Sequence, residues 1–382
     1  MAGVYIHIPF CRQACHYCNF HFSVSLRKRN DFLECLLAEM EMRHNFFGNS
    51  SDDLQKSPIQ SVYLGGGTPS LLGTDELNQI FEGVSKYFAI SPNAEITIEA
   101  NPDDLTFESL SALRQTPVNR LSIGVQSFHH SDLLFMNRAH TPAQAISAIE
   151  NAKECGFQNL TIDLIYGTPT LSDSQWIDNL RRTLDLGVEH ISAYALTVEP
   201  RTALDVLIRK GKAAPVDEEQ TAMQFEIMVE ILESKGYMHY EISNFALPGK
   251  FSQHNLSYWI GEPYLGLGPS AHSFHQNRRS WNIANTAAYI QSIRNGILPL
   301  ESENLTLTQR YDEYLMTSLR TMWGCSLQKI EQQWGSEKMK ELKGQCKPFL
   351  ENGLMVETDH YLILTKKGRL FADRIASDLF WV

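Results

Sequence analysis

The sequence has little that would place it in a membrane, on nucleic acid or outside the cell. No apolar run approaches the roughly 18 residues that a membrane span needs. Positive charge is in deficit: 33 Lys and Arg against 44 Asp and Glu give a formal net charge of -11. That balance offers no general attraction to phosphate backbones or anionic lipid. The one dense basic run, Arg27-Lys28-Arg29, reads as the solvated start of a helix. Internal repeats and low-complexity segments are missing, and with 43% hydrophobic and 10% aromatic residues the chain is not a disordered, solvating one. No signal-peptide pattern precedes the cysteines, so the expected compartment is the cytosol, where disulfides are rare. Seven cysteines in 382 residues must then serve something other than stapling.

What is present is an alternation of strand and helix signals. Val4 to Phe10, Ser61 to Gly65, Glu95 to Ala100, Arg120 to Gln126, Leu160 to Tyr166 and His190 to Val198 read as strands. Between them lie helical patterns with clear ends. Thr141 is an N-cap followed by Pro142, with Gly156 beyond the last turn, and Ser172 and Gln175 have capping-box spacing before a helix closed by Gly187. Strands separated by helical crossovers predict a parallel sheet, either doubly wound or coiled into a barrel. Polar or glycine-rich residues follow five successive strands, at Cys11, Gly65-Gly66-Gly67-Thr68-Pro69, Glu99-Ala100-Asn101-Pro102, Gln126-Ser127-Phe128 and Gly167-Thr168-Pro169. Chemistry at the C-terminal ends of strands is what a barrel mouth requires.

Three of the cysteines, Cys11, Cys15 and Cys18, form C-x3-C-x2-C after the first strand. Thiolates are soft ligands for iron-sulfur clusters or zinc, and a closed structural site takes four protein ligands. Three thiolates leave one metal position open, unless His16 or His21 completes a zinc knuckle. Cys35, Cys155, Cys325 and Cys346 are scattered singly.

The run Tyr5-Ile6-His7-Ile8-Pro9-Phe10-Cys11, the cysteine spacing and Gly65-Gly66-Gly67-Thr68-Pro69 together resemble the radical S-adenosylmethionine (SAM) superfamily. The branch they resemble contains oxygen-independent coproporphyrinogen III oxidase and the HemW-type haem chaperones. The resemblance implies an α/β fold, a partial (β/α)6 TIM-like barrel with a smaller C-terminal helical, winged-helix-like domain. It implies a 4Fe-4S cluster on Cys11, Cys15 and Cys18, whose unique iron is chelated by the methionine moiety of SAM, with one-electron cleavage of SAM to a 5'-deoxyadenosyl radical in catalytic members. It further assigns SAM contacts to Tyr5, Gly66, Gly67, Thr68, Glu99, Gln126, Arg138 and Asp163, and a backbone contact to Ala195. The chemistry of these types suits the ligand: carboxylates accept from hydroxyls and ammonium, and a guanidinium pairs with a carboxylate.

Two members of the branch make different demands. The oxidase carries an extension before its first strand and a fourth cysteine two residues after the third, where this chain has ten residues before Cys11 and Phe20 at that position. Both departures favour the chaperone, and so does His254-Asn255-Leu256-Ser257-Tyr258-Trp259, which matches the HNxxYW motif associated with haem in HemW-type proteins. Haem contact is therefore expected at His254, Tyr258 and Trp259, with His272 of Gly268-Pro269-Ser270-Ala271-His272-Ser273 as a competing ligand. The bland alternative for His254 is a hydrogen-bonded histidine in an aromatic core. Expected partners are haem, a recipient haemoprotein, membrane-associated ones included, and an electron donor such as flavodoxin or ferredoxin, with no nucleic acid. The expected organisation is a radical SAM barrel over 1–225, a barrel extension with the haem region over 226–298, and a winged-helix-like domain over 299–382 whose hairpin is Leu354 to Glu357 and Tyr361 to Leu364.

Overall fold

A computed structural model describes residues 2–48 and 58–381. Six strands, β1 (Ala2–Ile8), β2 (Ile59–Gly66), β3 (Ile90–Ala100), β4 (Arg120–Gln126), β5 (Asn159–Tyr166) and β6 (His190–Ala195), pair in parallel in sequential order. A doubly wound sheet reverses its strand order at a switch point. This one never reverses, so it curls in one direction, as the wall of a (β/α)6 partial barrel does. The sequence places these strands within a few residues, except that β3 begins at Ile90 rather than Glu95. The helix Pro142–Glu154 starts as expected, with Thr141 accepting from the Gln144 N–H, and Asp173–Asp185 has the reciprocal box between Ser172 and Gln175. Gly156 and Gly187 terminate them at φ +89° and +59°, a conformation that costs glycine little.

The barrel does not close on itself. The free edge of β6 takes an antiparallel hairpin, β7 (Met238–Glu241) and β8 (Asn244–Ala246), while the edge of β1 takes β9 (Tyr264–Leu267) in parallel. Three antiparallel strands, β10 (His272–His275), β11 (Arg278–Asn282) and β12 (Leu300–Asn304), prolong the sheet beyond β9. The boundary expected at 225/226 falls inside the helix Glu218–Ser234, and strands on both sides of it share one 12-stranded sheet. Sheet and barrel are thus one body through β12.

Beyond it a second core forms around Tyr311, Leu315, Leu319, Cys325, Leu342, Cys346 and Leu362. Helices Leu307–Leu319, Leu327–Trp334 and Ser336–Glu351 precede a hairpin of β14 (Met355–Glu357) and β15 (Tyr361–Leu364), and β13 (Cys325–Ser326) adds a third strand. This is the helix, helix, helix, wing order. Cys35, Cys325 and Cys346 are buried packing residues, as small apolar side chains are. Among the described residues no helix is long and apolar enough to cross a membrane.

Strand alternation decides which side chains meet. Val4, Ile6 and Ile8 of β1, Leu121 and Ile123 of β4, and Ile162 and Leu164 of β5 are fully buried against the surrounding helices. The opposite face of each strand points into the barrel and is polar: Tyr5 and His7, Ser61 and Tyr63, Glu95, Thr97 and Glu99, Arg120, Ser122 and Gln126, Thr161 and Asp163, His190 and Ser192. Register places them in layers, with Tyr5 beside Tyr63, Glu99 beside Ser122, and Asp163 beside Ser192. A polar lumen inside an apolar jacket is a cost in stability unless the lumen holds something.

Candidate functional site

The lumen opens as a cavity of about 440 Å³, whose mouth is lined by Cys11, Cys15 and Cys18 and whose depth reaches Arg120, Thr161 and Asn255. The cysteine loop is pinned from several sides. Cys11 N–H donates to the Ser23 carbonyl at 3.0 Å, His16 N–H to the Met136 carbonyl at 3.0 Å, and Asn137 Nδ2 to the Ala14 carbonyl at 2.7 Å. His16 Nδ1 donates to the Phe135 carbonyl at 2.9 Å, and His21 Nε2 bonds to Thr286 Oγ1 at 2.9 Å. Both histidines that could complete a zinc site are therefore tied to other elements, and neither lines the cavity. Phe20, at the position of the absent fourth cysteine, is 67% exposed at the rim.

Burial raises the thiols of Cys11 and Cys18, the latter to about 11, so each needs a cation or a metal to ionise. Arg138 supplies one: its Nη1 lies 3.2 Å from Cys15 Sγ, while Nη2 donates to Asn101 Oδ1 at 2.6 Å and to the Gly124 carbonyl at 2.8 Å. Its buried Nε has no partner. Three thiols on one wall, a guanidinium beside them and a spare buried donor fit an iron-sulfur cluster with an anionic ligand on its open side.

The glycine turn after β2 does more than clear space for a ligand. A Cβ on Gly67 would lie 2.6 Å from the Phe10 carbonyl and 2.7 Å from that of Ile8, and one on Gly66, at φ +104°, would meet the His7 ring at 2.5 Å. The turn is thereby clamped to the cysteine loop by Gly67 N–H to Ile8 O at 2.8 Å and Thr68 N–H to Phe10 O at 2.7 Å. Glycine is required for this close approach of two backbones.

Below the turn sit two carboxylates. Glu99 accepts from Tyr63 O–H at 2.8 Å and from Gly66 N–H at 3.0 Å, and Asp163 accepts from Ser122 Oγ at 3.4 Å. Burial raises Glu99 to about 7. Asp163 is raised to about 6, again by burial, with the Arg120 cation opposing it. Buried carboxylates this reluctant to ionise are complementary to a cation. Gln126 closes the ring from β4 at φ +64°, a left-handed backbone that costs a non-glycine residue on the order of 1 kcal/mol or more and recurs at ligand sites.

Of the nine positions that the resemblance assigns to SAM, Gly66, Gly67, Thr68, Glu99, Gln126, Arg138, Asp163 and Ala195 line this cavity. Tyr5 stands behind them. Its hydroxyl donates to His7 Nδ1 at 3.1 Å, because His7 Nε2–H is committed to the His21 carbonyl at 2.8 Å. Motif searching overlooks Arg120, Ser122, Thr161 and Ser192, all in the lining, where Asn255 of the HNxxYW segment joins them. The signal for the first four was a period-two row of polar residues inside otherwise apolar strands.

The helix Gln253–Ile260 carries the HNxxYW segment and plugs the bottom of the barrel. Glu95, from inside the barrel, receives the N–H groups of Gln253 and His254 at 3.1 and 3.0 Å and Ser252 Oγ at 3.4 Å, with Arg120 Nε 3.7 Å away. His254 is 1% exposed. Its Nδ1 bonds to Ser61 Oγ at 2.8 Å, its Nε2 to Tyr258 O–H at 2.8 Å, and its ring stacks on Tyr63 with centroids 5.0 Å apart. Burial lowers it to about 3. In this arrangement His254 is the hydrogen-bonded core histidine that the sequence left as the bland alternative, with no ring nitrogen free. Trp259 lies under the Arg320 guanidinium at 5.2 Å. His272 is exposed at the rim, its ring stacked on Trp281 with centroids 5.8 Å apart.

Comparison with known proteins accords with this geometry. Residues 5–183 match the family model of the radical SAM superfamily and residues 305–371 that of the HemN C-terminal domain. The chain is 32% identical to "Heme chaperone HemW" of Bacillus subtilis over 378 residues, 98% of each chain. It is 30% identical to the protein of that name from Escherichia coli, over 98% of this chain and 96% of the relative. Among solved structures, coproporphyrinogen III oxidase (HemN) of Escherichia coli superposes with a TM-score of 0.84 at 23% identity, covering 99% of this chain and 90% of that one. That likeness bears on the fold alone. With a full-length relative above 30% identity and a cysteine-lined barrel mouth of the matching form, the chain belongs to the HemW family of the radical SAM superfamily.

Proposed function

We propose that this protein is a haem chaperone: it takes up haem, carries a 4Fe-4S cluster and SAM in the barrel, and passes haem to a recipient haemoprotein, membrane-associated recipients included. The observation that carries the reading is full-length similarity to proteins of that name, joined to the three-thiol cavity. Cys11, Cys15 and Cys18 would hold the cluster, which when bound supplies an electron and one open iron site. The chain's own residues do the rest. Gly66, Gly67 and Thr68 bring backbone close to the methionine end of SAM, and Arg138 offers its guanidinium to the carboxylate. Glu99 and Asp163 face the sulfonium, ammonium and ribose, and Gln126 and Ala195 complete the wall. The electron donor would be a small redox protein such as flavodoxin or ferredoxin. The test is anaerobic reconstitution followed by parallel haem titration and coproporphyrinogen III assay. Tight haem uptake without turnover is expected; protoporphyrinogen IX formed at enzyme-like rates, or no haem uptake, overturns it.

The paired carboxylates give SAM binding a pH dependence of definite sign. Above about 7 both Glu99 and Asp163 are ionised and meet a cation; as pH falls through about 7 and then about 6 they protonate. The affinity of the reconstituted protein for SAM should therefore fall on acidification, by up to roughly tenfold per pH unit for each linked proton. Calorimetric titration at pH 8 and pH 6 measures it. Glu99→Gln should flatten the upper limb of the profile; an unchanged profile in that variant removes Glu99 from the site.

A further inference from the structure

We propose that the deep end of the barrel cavity, beyond the positions assigned to SAM, is a second binding site, which takes a small carboxylate between the Arg120 guanidinium and the Asn255 side-chain amide. This goes beyond the haem-chaperone reading and needs no haem. Arg120 decides the chemistry. It lines the cavity, and its side chain is almost wholly buried, yet little of its hydrogen-bonding capacity is used. Of the five N–H groups of a guanidinium, one on Nη2 donates to Thr161 Oγ1. Nε has no hydrogen-bond partner, since Glu95 stands 3.7 Å away, and Nη1 has none among the described residues. A buried cation in that condition is unfavourable unless something else completes it.

The groups around Arg120 leave that charge only partly balanced. Glu95 is shared with the plug helix, whose Gln253 and His254 N–H groups and Ser252 hydroxyl all point at its two oxygens. Thr161 accepts from Arg120 and turns its own proton to His190 Nδ1 at 3.0 Å, and His190 Nε2 bonds to Tyr240 O–H at 2.7 Å. Burial, reinforced by the Arg120 charge, holds both His190 and His254 neutral. Asp163 stands two residues beyond Thr161 on β5, toward the mouth, where on the proposed placement it and Glu99 face the cationic groups of SAM. A carboxylate matches the free edge of the guanidinium in shape and charge. Asn255 supplies the second contact: it lines the same cavity, and only its backbone N–H has a partner, Ser252 Oγ at 3.4 Å. One cation already sharing Glu95 suits a single negative charge, and the double charge of phosphate exceeds it.

The test is calorimetric titration of the reconstituted full-length protein with acetate, lactate and pyruvate, and with acetamide and lactamide as uncharged counterparts. The acids should bind saturably and the amides should not. Asn255→Leu removes an amide that no protein group uses, and Arg120→Lys keeps the charge but loses the planar fork; each should weaken acid binding about tenfold. Circular dichroism checks the fold of both, and Asn255→Leu carries the test alone if Arg120→Lys does not fold. Acids and amides binding alike, no saturable binding by any acid, inorganic phosphate binding in their place, or wild-type affinity in Asn255→Leu overturns the site. Haem titration of the same preparations separates the two readings: haem uptake without acid binding removes the site and leaves the chaperone, and acid binding without haem uptake does the reverse.

Discussion

Substituting Cys15 by alanine is expected to empty the barrel mouth of iron and abolish SAM cleavage while leaving haem uptake partly intact. Three thiolates are the fewest that leave one iron exchangeable, and no fourth cysteine stands near to replace a lost one. The loss also removes the acceptor for Arg138 Nη1, 3.2 Å away, leaving the guanidinium held only through Nη2, by Asn101 and the Gly124 carbonyl. Iron content, absorbance near 400 nm and chromatographic assay for 5'-deoxyadenosine read the first effect. Haem titration of the same variant reads the second. If haem affinity disappears with the cluster, the two sites are one.

The second large effect should come from Glu95→Ala, at the opposite end of the barrel. Glu95 is buried and receives two backbone N–H groups of the HNxxYW helix and a serine hydroxyl, with Arg120 alongside. Removing it strands the first turn of that helix and leaves Arg120, 1% exposed, without its carboxylate. Breaking one partner of a buried ion pair costs about 3–5 kcal/mol. The expected outcome is an unfolding free energy lowered by about that amount in denaturant titration, with Glu95→Gln, which loses the charge but retains an acceptor for the helix N–H groups, losing less. Equal destabilisation by both variants would mean that the negative charge, which both lack, is what matters at the barrel floor, and not the anchoring of the helix N–H groups.

Much of the fold was legible because it is local. Capping at Thr141 and Ser172, positive-φ glycines at 156 and 187, and six strand runs are each written within about a dozen residues, and the sequential barrel follows from chain order and helical crossovers. The mouth was legible for a different reason: the cysteine spacing and the glycine turn are contiguous in sequence, so their chemistry survives without coordinates. What escaped depends on distant pairing. β9 joins β1 across some 260 residues, and nothing local in Tyr264-Leu265-Gly266-Leu267 says which edge it will take. For the same reason the sequence left His254 between a haem ligand and a hydrogen-bonded core histidine. Its nitrogens are occupied by Ser61, nearly two hundred residues earlier, and by Tyr258 one turn later, and only the first of these decides that the ring turns inward. The barrel extension expected from residue 226 continues the same sheet, and residue 225 itself lies inside the helix Glu218–Ser234.

The helix that plugs the barrel has a kinetic consequence. A tube open at both ends lets molecules pass in any order, but here Gln253–Ile260 and its carboxylate anchor stand at the floor, and the cysteine loop frames the mouth of the cavity. Loading is then a matter of sequence in time. On the proposed placement of SAM under the cluster, a molecule that settles against Arg120 and Asn255, deeper in the cavity, would enter before SAM and leave after it.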